Sequence, residues 1–561
     1  MRSLLLSLAA ASAAAAAASA PASWTPTRER SPASLALPLR VALAPSTEGR
    51  AALAAAYEAV ADPAGAADGQ HLSRAQAAAL LAPPAGAAEA VRAFLAGVDG
   101  VRGLALEAGA GGMHFVTGTA TVAALERLAG CEFERCVFAR GGGLPALSAH
   151  RCAQAAAAPA RDSRAALPAE VAALVGFLHP STFLARPTSL GVHAQRAARL
   201  GAPAAGTVTP AVIRAQYGIG ATESKTPSNK QVAAGFLGEF TAIKDLQAFW
   251  KKDYPKATGR RLYIVGPNDE SKPGVEAMLD VEYITAIGGA VNTTFWYVDG
   301  CYDQCNNEPY TEFVKELLAL ADGALPHVVS MSYSDNENTV PPDFAATADT
   351  GFMALGARGV SVLGSSGDGG VSGSQSGPCP GGVFIPTYPA SSPYVLSVGA
   401  TVNNPETAAS FSSGSFSNYY SAPAYQVAPI ATYIKTAKGL PPANVFNHSG
   451  RGVPDVAALG VNFEIVSGGQ TFNVDGTSCS CPTFAGLVSL LNDVRLAAGK
   501  PTLGPLAKLF YANAGAFTDV TVGNNPGCGS PGFQAATGWD PITGLGSPKF
   551  ESLVAIVKAL P

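Results

Sequence analysis

The sequence predicts an α/β protein, a parallel β-sheet with helices on both faces, preceded by a smaller α+β unit. Two observations lead there. From Val208 onward, short continuous apolar runs alternate with helix-length segments, the pattern of strands buried on both sides and joined by crossover helices. Before that point, residues from about 21 to 205 are very rich in alanine and mix helical with strand periodicity. In a sheet of this kind ligands bind at the carboxyl ends of the strands, so the residues that follow each apolar run are the first place to look for chemistry.

The elements follow in chain order. Met1 to about Ala20 reads as a secretory signal: Arg2, then Leu4-Leu5-Leu6-Ser7-Leu8, then small residues ending near Ala-Ser-Ala-Pro-Ala. In the next unit, the segment from His71 to Leu81 predicts a capped helix ended by Pro83-Pro84. Ala88–Leu95 and Thr121–Leu128 predict two further helices, and Met113–Ala120 a strand. Arg151 to Thr207, rich in Ala, Pro and Arg, has few periodic signals and reads as a cleavable linker. A secreted hydrolase with such a leader is expected to be a zymogen.

In the second unit, from 206 to 561, the predicted strands are Val232–Leu237, Leu262–Val265, Thr294–Val298, His327–Tyr333 and Val360–Gly364. Between them lie the predicted helices Thr241–Trp250, Gly274–Ile287, Pro309–Leu320 and Pro342–Leu355.

Composition excludes several classes. Only 14% of residues are charged and the formal net charge is −4, which offers no basic surface for nucleic acid. No apolar run after the leader reaches the roughly 18 residues of a membrane span. Nine cysteines fit an oxidising compartment without forming a disulfide-dense scaffold, and an odd number leaves at least one unpaired within the chain. Cys301 and Cys305 flank a short polar loop that they could close, and Cys379 and Cys528 lie in loops that they could bridge. Cys479 and Cys481 read as small packing residues, since no metal-type Cys/His spacing occurs.

The chemistry centres on Ser478. It stands in Val474-Asp475-Gly476-Thr477-Ser478-Cys479-Ser480-Cys481-Pro482, at the start of a predicted helix whose free N–H groups and dipole lie beside it. A plain helix N-terminus would look the same. A histidine base is poorly supplied: five of the seven histidines fall in the first 200 residues, and neither His327 nor His448 has the surroundings of one. A catalytic Ser478 therefore needs a carboxylate in the histidine's role, which implies work at low pH. Glu276 and Asp280, at i and i+4, share one face of a predicted helix among apolar neighbours, with no Lys or Arg in the stretch from Gly274 to Tyr283. Such a pair can share a proton and raise the affinity of one member for it. Asp368, in Ser366-Gly367-Asp368-Gly369, directly follows a predicted strand; in its acid form it would donate a hydrogen bond to a developing oxyanion. Asp335 also follows a strand and is a rival for that role. Asp475 reads as structural.

Together these motifs resemble the sedolisins, the serine-carboxyl peptidases on a subtilisin-like fold. The resemblance runs from about His71 to the C-terminus. It rests on Gly274-Val-Glu-Ala-Met-Leu-Asp-Val-Glu-Tyr, Ser366-Gly-Asp-Gly-Gly and Pro386-Thr-Tyr-Pro-Ala-Ser-Ser-Pro-Tyr-Val-Leu-Ser-Val-Gly, continued by Gly450-Arg-Gly-Val-Pro-Asp-Val-Ala-Ala, Gly476-Thr-Ser-Cys-Ser-Cys-Pro and Gly538-Trp-Asp-Pro-Ile-Thr-Gly. It implies a subtilisin-like parallel sheet behind an α+β propeptide that inhibits the enzyme until acid releases it. Ser478 would be the nucleophile, Glu276 the general base and acid, Asp280 the residue that orients and polarises Glu276, and Asp368 the oxyanion residue. Peptides or proteins would be the substrates, with tripeptide release from free N-termini as the activity and endopeptidase action as the alternative. A catalytically silent, secreted calcium-binding protein is the reading from another class.

Hard oxygen donors on the loops near Asp519 and Asp540 suit Ca²⁺. The resemblance implies one structural calcium ion held by the side chains of Asp519 and Asp540 and the carbonyls of Val520, Ala536 and Gly538, with alanine at 536 where glycine is the expectation. Asn292-Thr-Thr and Asn447-His-Ser are sequons for N-glycans, and partial burial beside a strand would leave Asn292 unused. The expected location is the secretory route, ending in a lysosome or vacuole or outside the cell.

Overall fold

The computed structural model describes residues 24–63, 69–138, 147–153, 161–180, 206–299, 308–374, 377 and 379–561. The leader to Ala20, the Cys301/Cys305 loop and the boundary near 205 lie outside the described residues.

The first unit is built on a four-stranded antiparallel sheet. Its strands are β1 (Ala36–Leu43), β2 (Val101–Ala108), β3 (His114–Thr121) and β4 (Val175–His179), in the order β2-β3-β1-β4. Helices α1 (Thr47–Val60), α2 (Arg74–Leu81), α3 (Ala87–Ala96) and α4 (Val122–Ala129) accompany it. The three predicted helices and the strand over 114–121 are present. Helix α2 begins with a capping box in which Ser73 and Gln76 each satisfy the other's backbone N–H. The linker prediction is corrected here: Val175–His179 pairs with Ala36–Leu43, so the folded unit continues to His179. The five-residue run Val-Gly-Phe-Leu-His is too short to signal a strand by period alone; burial against β1 selects it.

The second unit carries the predicted parallel sheet. Its strands are β5 (Lys230–Gly235), β6 (Tyr263–Val265), β7 (Asn292–Tyr297), β8 (Val328–Met331), β9 (Ser361–Ser365), β10 (Leu396–Val402), β11 (Thr407–Ala408) and β12 (Val456–Leu459). They run β11-β10-β9-β8-β5-β7-β6, with β12 beside β10, and only β11 is antiparallel. Helices α5 (Ile243–Asp253), α6 (Val275–Gly288) and α9 (Thr477–Ala497) cover one face, and α7 (Tyr310–Ala319) and α8 (Pro342–Ala357) cover the other. Every predicted strand and helix of this unit is present. Helix α6 is buried all round from Glu276 to Gly288 and packs against α9. Two helices at the centre of the core thus carry the serine and the paired carboxylates.

The first unit docks on the α7/α8 face. Leu53, Tyr57, Met113, Phe115 and Phe177 join one apolar core with Phe313, Val314, Phe344 and Phe352, each buried aromatic contributing on the order of 2 kcal/mol. Charge complements this contact: Arg40 pairs with Glu312, and Glu107 with Lys315.

Disulfides join Cys379 to Cys528, as anticipated, and Cys131 to Cys152, which spacing did not reveal. Cys479 and Cys481 are buried free thiols, in keeping with a packing role. Asn292 is exposed rather than partly buried, and Asn447 is half-buried. Each donates its side-chain amide to a backbone carbonyl, of Pro227 and Ser417 respectively. Among the described residues no helix is long and apolar enough to cross a membrane.

Candidate active site

The sheet brings four predicted residues to one place. Ser478 is the second residue of α9, and Glu276 and Asp280 face it from the first two turns of α6. Asp368 follows β9 at its carboxyl end. All four are buried.

Ser478 Oγ donates to the Ser332 carbonyl at 3.4 Å, and its hydroxyl sits close enough to the Glu276 carboxyl to favour the charged form of that group. Burial pushes Glu276 well above the usual carboxylate range, and the neighbouring Asp280 charge raises it further. Burial likewise raises Asp280, against the hydrogen bond that Ser332 Oγ donates to its Oδ1 at 2.6 Å. One oxygen of each carboxyl, Oε1 of Glu276 and Oδ2 of Asp280, has no hydrogen-bond partner among the described residues. A carboxyl pair so placed retains a proton that an exposed pair would lose.

Asp368 holds the start of α9. Its Oδ1 accepts hydrogen bonds from Thr477 N at 2.8 Å and Thr477 Oγ1 at 2.9 Å. A Cβ on Gly476 would sit 3.1 Å from Asp368 Oδ2, so glycine leaves the space in front of that oxygen clear. Asp335, the rival, lies elsewhere: it pairs with Tyr388 in a two-residue ladder and is buried beside Glu308. Asp475 accepts from Asn462 N, in agreement with a structural role. His448 is exposed and His327 contacts Asn229; neither is a partner of Ser478.

Two supporting residues escaped the sequence reading. Glu239, on the loop after β5, accepts from the Glu276 backbone N–H at 3.2 Å at the open end of α6, and burial pushes it up to about 7. Ser332, just after β8, bridges Asp280 and the Ser478 carbonyl. Both sit at carboxyl ends of parallel strands, the one signal that pointed to them.

The predicted calcium residues also converge. Gly538 N donates to Asp519 Oδ2 at 2.9 Å, and Ala536 N donates to Asp540 Oδ2 at 3.1 Å. Asp540 is fully buried, with no basic partner among the described residues, and Asp519 is exposed. Asp519 and Asp540, brought to one pair of loops, supply hard carboxylate oxygens of the kind Ca²⁺ takes.

Comparison with known proteins agrees with this architecture. The Pro-kumamolisin activation domain family matches residues 23–183, and the subtilase family matches residues 284–503. A "Probable tripeptidyl-peptidase SED3" of Arthroderma benhamiae is 34% identical over 446 residues, covering 71% of this chain and 74% of that protein. A "Probable tripeptidyl-peptidase SED4" of Trichophyton verrucosum is 39% identical over 388 residues; the match spans 63% of this chain and 64% of its length. Among solved structures, Pseudomonas sedolisin, described as a serine-carboxyl proteinase in complex with pseudo-iodotyrostatin, aligns with a TM-score of 0.51 at 23% identity. That alignment covers 64% of this chain and 99% of the neighbour, and supports the fold. An activation domain thus precedes a subtilase-type domain that carries buried carboxylates beside Ser478. The chain belongs to the sedolisin family.

Proposed function

We propose that the chain is the zymogen of an acid-acting serine-carboxyl peptidase that releases tripeptides from free N-termini. The observation that carries this reading is the Ser478 hydroxyl beside buried Glu276, itself one helical turn from buried Asp280. Ser478 Oγ attacks the peptide carbonyl carbon while its proton passes to Glu276. The carbonyl oxygen becomes an oxyanion that Asp368, in its acid form, stabilises by donating a hydrogen bond. As the tetrahedral intermediate collapses, the C–N bond breaks and Glu276 returns the proton to the leaving amine. Water, deprotonated by Glu276, then releases the acyl group. Asp280 acts through Glu276 by raising its affinity for the proton, and Ser332 fixes Asp280.

Tripeptide release is favoured by the names of the relatives and by a second buried carboxyl pair, Glu308 and Asp335. Asp335 lies three residues beyond Ser332, and a carboxylate is the chemistry that holds a free α-amine. Asp519, Val520, Ala536, Gly538 and Asp540 would hold one structural Ca²⁺, tying the C-terminal loops. The first unit acts as an inhibitory propeptide, and the leader directs secretion.

The test is hydrolysis by the processed protein, from about pH 3 to 8, of a free-N-terminus tripeptide reporter and its N-blocked twin, with Ser478→Ala as control. Acid-only cleavage of the free reporter, absent in the control, is the expected result. Equal cleavage of the blocked twin would replace tripeptidyl action with endopeptidase action. Absence of serine-dependent cleavage of either would overturn the enzyme reading.

A further inference from the structure

His71 and His327 line one cavity at the seam between the activation unit and the catalytic unit, together with Gln76, Asp322 and Arg358. His71 stands just before α2, on the activation side, and His327 just before β8. The His71 ring packs tightly against the catalytic unit: a Cβ on Gly359 would come within 2.2 Å of its Nδ1. Beside it, Leu72 N donates to the Ala357 carbonyl at 2.8 Å and Arg74 N to Asp322 Oδ1 at 2.7 Å. His71 Nε2 is buried without a hydrogen-bond partner among the described residues.

The charges around this seam are mostly of one sign. Arg495 of α9 acts on His71, Lys230 of β5 and His71 itself act on His327, and Arg358 at the end of α8 lines the cavity. Arg74 contributes from the activation side, and Asp322, already bonded by Arg74 and Arg358, is the one carboxylate among the cavity residues.

We propose that His71 and His327 form an acid-sensitive latch: neutral, they pack the activation unit against the catalytic unit; protonated, they repel each other and the surrounding cations, and the seam opens. This rests on the zymogen reading and names its pH sensor. Burial and the neighbouring cations hold both imidazoles down, from an ordinary 6.5 to about 4. The docked form therefore binds fewer protons than the released form. The latch is complete above pH 6.5 and is lost as pH falls toward 4, each histidine weakening docking by roughly a hundred-fold. Asp343 works in the opposite sense: Ser163 bonds it across the same interface, and burial pushes it up to about 6, so it takes up a proton on docking. Two histidines outweigh one aspartate.

The test uses the full chain carrying Ser478→Ala, so that opening is read without self-cleavage. Hydrogen exchange of the amides from Leu72 to Leu81 is followed from pH 4 to 7 and corrected for intrinsic rates. Protection is expected to collapse as the pH falls through this range, and His71→Gln with His327→Gln should move the midpoint down by about one pH unit. His327→Lys should lose protection already at neutral pH. Unchanged exchange of β5 amides verifies folding in each variant; if the double variant does not fold, each single variant should give about half the shift. A midpoint and slope identical to the parent in the glutamine variants, or full neutral protection in His327→Lys, would overturn the latch. Because no catalysis is read, an inactive enzyme would count against the proposed function alone.

Discussion

Glu276 and Asp280, and Arg451 and Asp455, are both buried pairs four residues apart, and their surroundings differ in kind. Arg451 donates to Asp455 at 2.7 Å and to the carbonyls of Ala390 and Val395. Asp455 also accepts from Ser397 N, Gln426 and Tyr511. Opposite charges, with both Asp455 oxygens bonded, tie separate strands and helices of the second unit into one core. The carboxyl pair on α6 has like charges, one oxygen on each member without a partner among the described residues, and the Ser478 hydroxyl beside it. It holds a proton rather than a fold. On the proposed mechanism, the difference separates residues whose loss would unfold the protein from residues whose loss would silence it.

That contrast breaks most visibly at Glu276. Glu276→Gln and Ser478→Ala should each lower kcat/KM by about 10⁴-fold or more while leaving the circular dichroism and the thermal midpoint at about pH 4 in place. Next in size, Arg451→Met should cost about 3–5 kcal/mol, because it leaves the Asp455 charge buried and unpaired. Denaturant midpoints in the Ser478→Ala background measure this loss, and an equal loss from Glu276→Gln would erase the distinction.

A smaller effect has the opposite sign. Glu239, ordinary near 4.5 and pushed up to about 7, binds a proton in the folded protein that the unfolded chain has lost. It therefore lowers stability as pH rises from 4.5 through 7, and the folded state is favoured by acid. Glu239→Gln should raise stability by up to about 3 kcal/mol at pH 7 to 8 and by almost nothing at pH 4, read from unfolding curves at the two pH values. The smallest effect concerns the C-terminal loops. Chelation should lower stability by about 2–3 kcal/mol where free Ca²⁺ is near a hundred times its dissociation constant, and Asp540→Asn should abolish that response in a thermal melt.

The catalytic unit was legible because each of its strands is a continuous apolar run between helix-length segments, so the strand and helix periods do not compete. Glu276 and Asp280 were legible for a related reason: the helical period alone places them side by side. Glu239 reaches α6 from another loop, and no local period predicts a tertiary contact. In the activation unit, α1 was not recognised because its alanines give little contrast between faces, with Leu53, Tyr57 and Val60 carrying the buried stripe. Strand β4 was folded into a linker because tertiary pairing, not pattern, defines it. The Cys131–Cys152 bond likewise follows from the approach of two segments that spacing does not encode.

The most direct measurement is the trapping of an acyl-enzyme. The processed protein would be mixed with a peptide ester at acid pH, quenched within a turnover, digested and weighed peptide by peptide. A mass increment equal to the acyl group, located on Ser478 and absent in Glu276→Gln, is the predicted result. An increment on another residue, or acylation of Ser478 that survives Glu276→Gln undiminished, would contradict the assignment of proton transfer to the buried carboxyl pair.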